Sequence, residues 1–86
     1  MSVFVDDMAA PFGRMKMCHM AADSSAELRE MARAIGVSEL WIQYPGTMRE
    51  HFDICMSKRT LAISLGAVPV TQRLLWAEMV KKRDRP

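Results

Sequence analysis

The sequence predicts a small single-domain α/β fold: a mixed sheet covered by helices, in the order β-β-α-β-α-β-α. Three observations carry that prediction. Short β-rich runs alternate along the chain with segments of helical periodicity. The helical segments carry start and stop signals at their ends. Half of the 86 residues are apolar, enough for one core, and no repeat, low-complexity tract or linker divides the chain.

Taken in order, Ser2-Val3-Phe4-Val5 is a first strand that Asp6-Asp7 ends abruptly. Met8–Arg14 contains Pro11 and Gly13 and reads as a loop. Met15–Ala21 is a second strand with Met15, Met17, His19 and Ala21 on one face. The link is too short for a helical crossover, so antiparallel pairing is expected. Ser24 and Glu27 form a capping box ahead of Leu28, Met31, Ala32 and Ile35 at helical spacing, and Gly36 supplies the stop. Leu40–Tyr44 reads as a third strand ended by Pro45-Gly46. Ser57 is positioned to cap a second helix carrying Leu61, Ala62 and Leu65, which Gly66 ends. Val68-Pro69-Val70 is a short strand whose proline suits a sheet edge. Thr71 caps a last helix bearing Leu75, Trp76, Met79 and Val80.

Composition excludes several classes. No apolar run approaches the ~18 residues of a membrane span, and the start MSVFVDDMAA lacks the pattern of a signal peptide, so a cytoplasmic protein is expected. The net charge of +2 does not call for nucleic acid as a partner. Much of the excess sits in Lys81-Lys82-Arg83-Asp84-Arg85, where cations offset a helix dipole or form a basic tail. A domain this short buries a modest share of its surface, which makes a homo-oligomer one expected solution. Cys18 and Cys55 form no CxxC pair and read as small buried hydrophobes. Met8, Met15, Met17 and Met20 cluster early and suit loose core packing or an adaptable pocket. Phosphate loops of the GxGxxG and GxxxxGK[ST] kinds are absent, as are GxSxG and HExxH. Cys18 and His19 are not a catalytic pair, because strand neighbours face opposite ways.

Polar residues are informative where apolar ones would serve the fold equally well. Asp6 and Asp7 stand at a strand terminus, where α/β folds bind ligands and where carboxylates can hold a cation or simply start a turn. His19 is the one histidine in the sulfur-rich run from Met15 to Met20. In an extended segment His51 and Asp53 point the same way, with Phe52 opposite. Ser57, Lys58 and Arg59 then open a helix whose free N–H groups suit an anion.

The chain also resembles the small bacterial and phage proteins of the domain of unknown function 4031 family, from Val3 to about Thr71. The resemblance rests on Val3–Asp7, Gly13-Arg14, Cys18-His19-Met20 with Ala22-Asp23, and Glu27-Leu28. It continues in Ile35-Gly36, Trp41 with Gln43, His51-Phe52-Asp53, Ser57-Lys58-Arg59 and Gly66-Ala67-Val68. It implies that Asp6, Asp7, Arg14, His19, Gln43, His51, Asp53 and Arg59 belong to the family's pattern, and that Phe52 replaces a usual tyrosine. A phage setting, with roles such as countering host defence, is implied as well; no activity is.

The leading expectation is a binding module, not an enzyme, for a small anionic or nucleotide-like molecule, with no cofactor and no resident metal. Arg14, Ser57, Lys58 and Arg59 would take the anion. His19, Gln43, His51 and Asp53 would read polar edges, Asp6 and Asp7 would orient hydroxyl groups, and Trp41 or Tyr44 would stack on a base. The alternative is a metal-dependent phosphoesterase or nuclease with Asp6, Asp7, His19, His51 and Asp53 around the metal. A third expectation is a protein-interaction module.

Overall fold

The computed structural model describes residues 2–82, so Arg83, Asp84 and Arg85 of the basic run lie outside the described residues. It has the strands β1 (Val3–Val5), β2 (Ala10–Phe12), β3 (Met15–Ala22), β4 (Phe52–Cys55) and β5 (Val68–Pro69), and the helices α1 (Ser25–Ala34), α2 (Met56–Ser64) and α3 (Gln72–Lys82). This is the expected α/β class, a mixed sheet packed by helices. No helix among the described residues is long and apolar enough to cross a membrane.

The long central strand β3 organises the sheet. One of its edges pairs antiparallel with β4, from Met17 opposite Cys55 to Met20 opposite Phe52. The other edge takes β1 and β2, both antiparallel and end to end. Met20 pairs with both Val5 and Phe52, which puts those partners on opposite sides. Strand β5 extends the sheet beyond β1 in parallel, and Pro69 occupies the expected edge.

Two departures from the sequence reading concern the first half. Met8–Arg14 is not wholly a loop, because Ala10–Phe12 pairs with β3. Pro11 is tolerated there because β2 has a free outer edge. Gly13, at φ 60°, takes the first central position of the two-residue turn, where type II′ hairpins require glycine. Leu40–Tyr44 is not a strand: Glu39–Trp41 is a single 3-10 turn, and only Gln43 makes a bridge, to His51. The Ser38 hydroxyl accepts the Leu40 N–H and rewards the turn over an extended run.

Strand alternation divides the core in two. Val3, Val5, Cys18, Met20, Ala22, Phe52 and Ile54 face Leu28 and Ala32 of α1 and Ala62 of α2. The capping box of α1 forms as read, with Ser24 Oγ accepting the Glu27 N–H. Helix α2 starts two residues earlier than expected, with Cys55 rather than Ser57 at its cap, while the Ser57 hydroxyl lies 3.2 Å from Cys55 Sγ. Leu61 and Leu65 remain exposed, leaving Ala62 as the inward residue. On the opposite face Phe4, Ala21 and Val70 pack under Leu75 and Met79 of α3. Trp76 and Val80 stay largely outside that contact.

Both cysteines are free. Burial pushes the Cys18 thiol up to about 12. Cys55 is half-exposed rather than buried, and the Ser57 hydroxyl and the Lys58 N–H hold its thiol below the usual range. Under native conditions iodoacetamide should therefore modify one thiol per chain, at Cys55, and reach Cys18 only after denaturation, as peptide mass mapping will show. Phe52 is fully buried at the centre of the larger core. Phe52→Ala should cost about 3–5 kcal/mol in urea unfolding.

Candidate functional site

The break between β1 and β2 creates the first part of the site. Paired residues of β1 and β3 sum to 25, as in Val5 with Met20, and those of β2 and β3 sum to 27, as in Ala10 with Met17. The segment between therefore holds two extra residues and leaves the ladder after Asp6. Asp6 still donates its N–H to the His19 carbonyl at 3.1 Å. The return bond goes not to the Asp6 carbonyl but to its side chain, with His19 N–H on Oδ1 at 2.8 Å. Oδ1 also accepts the Met8 N–H at 3.3 Å, and Oδ2 accepts the His19 Nδ1–H at 2.7 Å. The Asp6 carbonyl is engaged by Arg59 Nε at 2.7 Å.

Burial alone pushes the Asp6 carboxyl up, but these bonds and the His19 charge outweigh it and hold the group below its ordinary value. His19 is raised, first by its hydrogen bond to Asp6, then, against partial desolvation, by the charges of Asp6 and Asp53.

His19 lies opposite Asp53 in the β3–β4 register, and His51 stands two residues before Asp53 on the same face. Each of these three side chains is tethered through one atom and leaves another facing the cluster. His19 and His51 donate from Nδ1, to Asp6 and to the Arg49 carbonyl (2.6 Å), which leaves both Nε2 lone pairs free. Asp53 Oδ2 accepts Gln43 Nε2 at 2.7 Å. Oδ1 is buried without a hydrogen-bond partner, 3.5 Å from His51 Nε2 and 3.8 Å from His19 Nε2. Those separations are beyond hydrogen-bond range. They are close to the ~3.4 Å between neighbouring donors in a tetrahedral shell with ~2.1 Å bonds. The donor atoms of His19, His51 and Asp53 all lie within 4.8 Å of one another, the dimension of a site for one metal ion.

The surroundings are aromatic on one side and apolar on the other. Tyr44 stacks on His51 with centroids 6.0 Å apart, and Trp76 of α3 meets His19 edge-on at 6.4 Å. The Arg49 guanidinium lies 6.0 Å from the Tyr44 ring centroid and 5.9 Å from that of Trp76. Toward β2 a cleft of about 670 Å³ opens, walled by Met8, Ala10, Pro11, Phe12, Met15, Met17, Trp41 and Gln43 and reaching Asp53. Met8, Met15 and Met17 thus line a pocket, while Met20 is core.

Of the residues singled out in the sequence, His19, Gln43, His51 and Asp53 converge, Asp6 orients His19, and Trp41 borders the cleft. Asp7 serves α3, its Oδ1 accepting the Gln72 N–H at 2.9 Å beside the Thr71 cap. Arg14 is exposed in the hairpin turn. Lys58 extends toward Gly36 at the end of α1, its Nζ 3.2 Å from where a Cβ would stand. Helix α2 packs on the face opposite the cluster, so Ser57 and Lys58 do not join it. Phe52 also faces that other side, so the hydroxyl it lacks is absent from the core and not from the cluster. Arg49 and Trp76 were not singled out as site residues, since no spacing pattern links them to the histidines.

The fold and this cluster define a small mixed α/β domain carrying two histidines and one carboxylate on a single sheet face. The chain belongs to the family described as "Protein of unknown function (DUF4031)", whose model matches residues 3–82. No curated protein and no solved structure matches it.

The Asp6–His19 pair sets a pH signature for the metal-free protein. A raised histidine stabilises the fold fully below its unfolded value near 6.5, and that contribution is lost as pH rises through the folded value. Asp6, lowered from 3.8, contributes above that value and loses its share as pH falls through its folded value. The urea midpoint of EDTA-treated protein should fall from pH 6 to 9, and Asp6→Asn should flatten that slope.

Proposed function

We propose that the protein is a metal-dependent phosphoesterase in which His19 Nε2, His51 Nε2 and Asp53 Oδ1 hold one divalent transition-metal ion. The observation that carries this reading is the buried, unpartnered Asp53 Oδ1 facing two histidine nitrogens whose tautomers are already set. Among the described residues nothing else satisfies that oxygen, and a buried carboxylate oxygen without a partner is costly. Two imidazoles and a carboxylate suit Zn²⁺, Fe²⁺ or Mn²⁺ better than Mg²⁺. The partners behind the ligands (Asp6, the Arg49 carbonyl and Gln43) are of the kind that orient metal-binding imidazoles and carboxylates.

Three protein ligands leave positions open on such an ion. Held there by His19, His51 and Asp53, such an ion would supply an acidified water as nucleophile and would offset charge on a phosphoryl group. The Arg49 guanidinium lies about 6 Å from the Tyr44 and Trp76 rings at the rim of the cluster and suits a non-bridging phosphoryl oxygen. This version of the metal reading is narrower than the five-residue set drawn from the sequence, because Asp6 and Asp7 are engaged elsewhere. In a cytoplasmic phage setting the substrate would be a host phosphoester.

Isothermal titration of EDTA-treated protein with Zn²⁺ or Mn²⁺ should find one ion per chain, with Mg²⁺ much weaker. His51→Ala and Asp53→Ala should each lower the affinity about 100-fold or more, and Asp6→Asn about 10–100-fold. Hydrolysis of bis(p-nitrophenyl) phosphate should need the ion and vanish in Asp53→Ala. Absence of metal binding in folded wild-type protein sinks the reading; binding without turnover reduces it to a metal-dependent binding module.

A further inference from the structure

We infer that the cleft beside the cluster seats a planar nucleobase between Phe12 and Trp41, so that the substrate of the proposed metal centre is a nucleoside phosphate. The inference rests on the phosphoesterase reading for the phosphate end and on separate observations for the base end.

Phe12 is 68% exposed and Trp41 72% exposed, although both border a concave apolar surface. Neither belongs to either core cluster, so packing gives no reason for two large aromatic groups there. Their rings, with the thioethers of Met15 and Met17, offer flat and polarizable walls suited to an aromatic guest. At about 670 Å³ the cleft is within the range that holds small organic ligands.

The polar end of the cleft supplies direction. Gln43 must present its NH₂ to the Asp53 carboxylate, because only that end of the amide can donate. Its carbonyl oxygen has no protein partner among the described residues and is left as an acceptor in the cleft wall. A base with an exocyclic amino or ring N–H edge matches that acceptor, whereas a purely aliphatic guest does not. Asp53 belongs to both the cleft wall and the metal cluster, so a guest seated against it has its phosphate end directed to the ion. A flexible peptide would meet the same apolar walls, but the single acceptor and the adjoining metal site favour a compact guest carrying both a flat ring and an anion.

The test compares two probes by titration calorimetry on zinc-loaded protein: an adenosine 5′-methylenephosphonate, which resists hydrolysis, and the matching ribose phosphonate without a base. The base-bearing probe should bind about tenfold tighter or more. Trp41→Ala should erase that difference, and Phe12→Ala should reduce it. Both residues are exposed, and each variant's urea midpoint serves as the folding control. Equal affinities in wild-type protein, a difference that survives Trp41→Ala, or no binding of either probe overturns the inference. If wild-type protein takes up no zinc, the phosphoesterase reading fails by itself. The base site is then read with adenosine on metal-free protein: saturable binding lost in Trp41→Ala upholds it, and no binding overturns it.

Discussion

The Asp6 carboxylate is the interaction on which the rest of the site depends. It is wholly buried, and a carboxylate in that position is tolerable only if its lone pairs are filled. Here they accept two backbone N–H groups and one imidazole N–H. One of those backbone groups belongs to His19 and would otherwise bond the strand carbonyl that Arg59 occupies. The side chain thus substitutes for the ladder where the ladder stops. The same set of bonds terminates β1, releases the segment that reaches α3 through Asp7, and fixes the ring of His19. Strand geometry and site chemistry have a common cause at this residue.

The coverage of the sheet explains why the cluster is accessible. Met15, Met17, His19 and Ala21 line one face of β3, but α3 covers only the end containing Ala21. His19 stands where cover gives way to cleft. On the other face α1 and α2 bury the whole set from Val3 to Ile54, and the cavity bordered by Val3, Glu27, Glu30 and Met31 includes none of the cluster residues. A rigid central strand therefore holds His19, its neighbour β4 holds Asp53, and the approach to both is left open along β2. Rigid strands suit a site whose donor atoms must converge within a few ångströms.

The loop before β4 contributes in a way that its polarity conceals. Glu50 is nearly fully buried and accepts from Ser25 of α1 and from the Gly46 N–H. This closes the turn around Pro45-Gly46 against α1. His51 then enters the sheet through its bridge with Gln43, whose side chain in turn holds Asp53. Arg49 contributes its carbonyl to His51 and its guanidinium to the aromatic rim.

By itself the sequence determined the α/β class, the capping box of α1, the antiparallel pairing of the first strands and the edge position of Pro69. It also determined that His51 and Asp53 share a face. All of these follow from local rules, namely strand alternation, helix periodicity and side-chain competition for backbone groups. The tertiary structure alone decided that His19 joins them, because cross-strand register relates residues more than thirty positions apart. It separated Asp6 from the ligand atoms and turned it into the tether of His19, and it assigned Asp7 to α3. It also carried Ser57 and Lys58 to the far face, because α2 packs its alanine against the larger core. Leu40–Tyr44 looked like a strand because its apolar content matched one, yet the Ser38 cap and Tyr44 at φ 51° favour a turn followed by a bridge. Composition could not reveal that Trp41 and Phe12 border one cleft, since nothing local links a hairpin tip to a 3-10 turn.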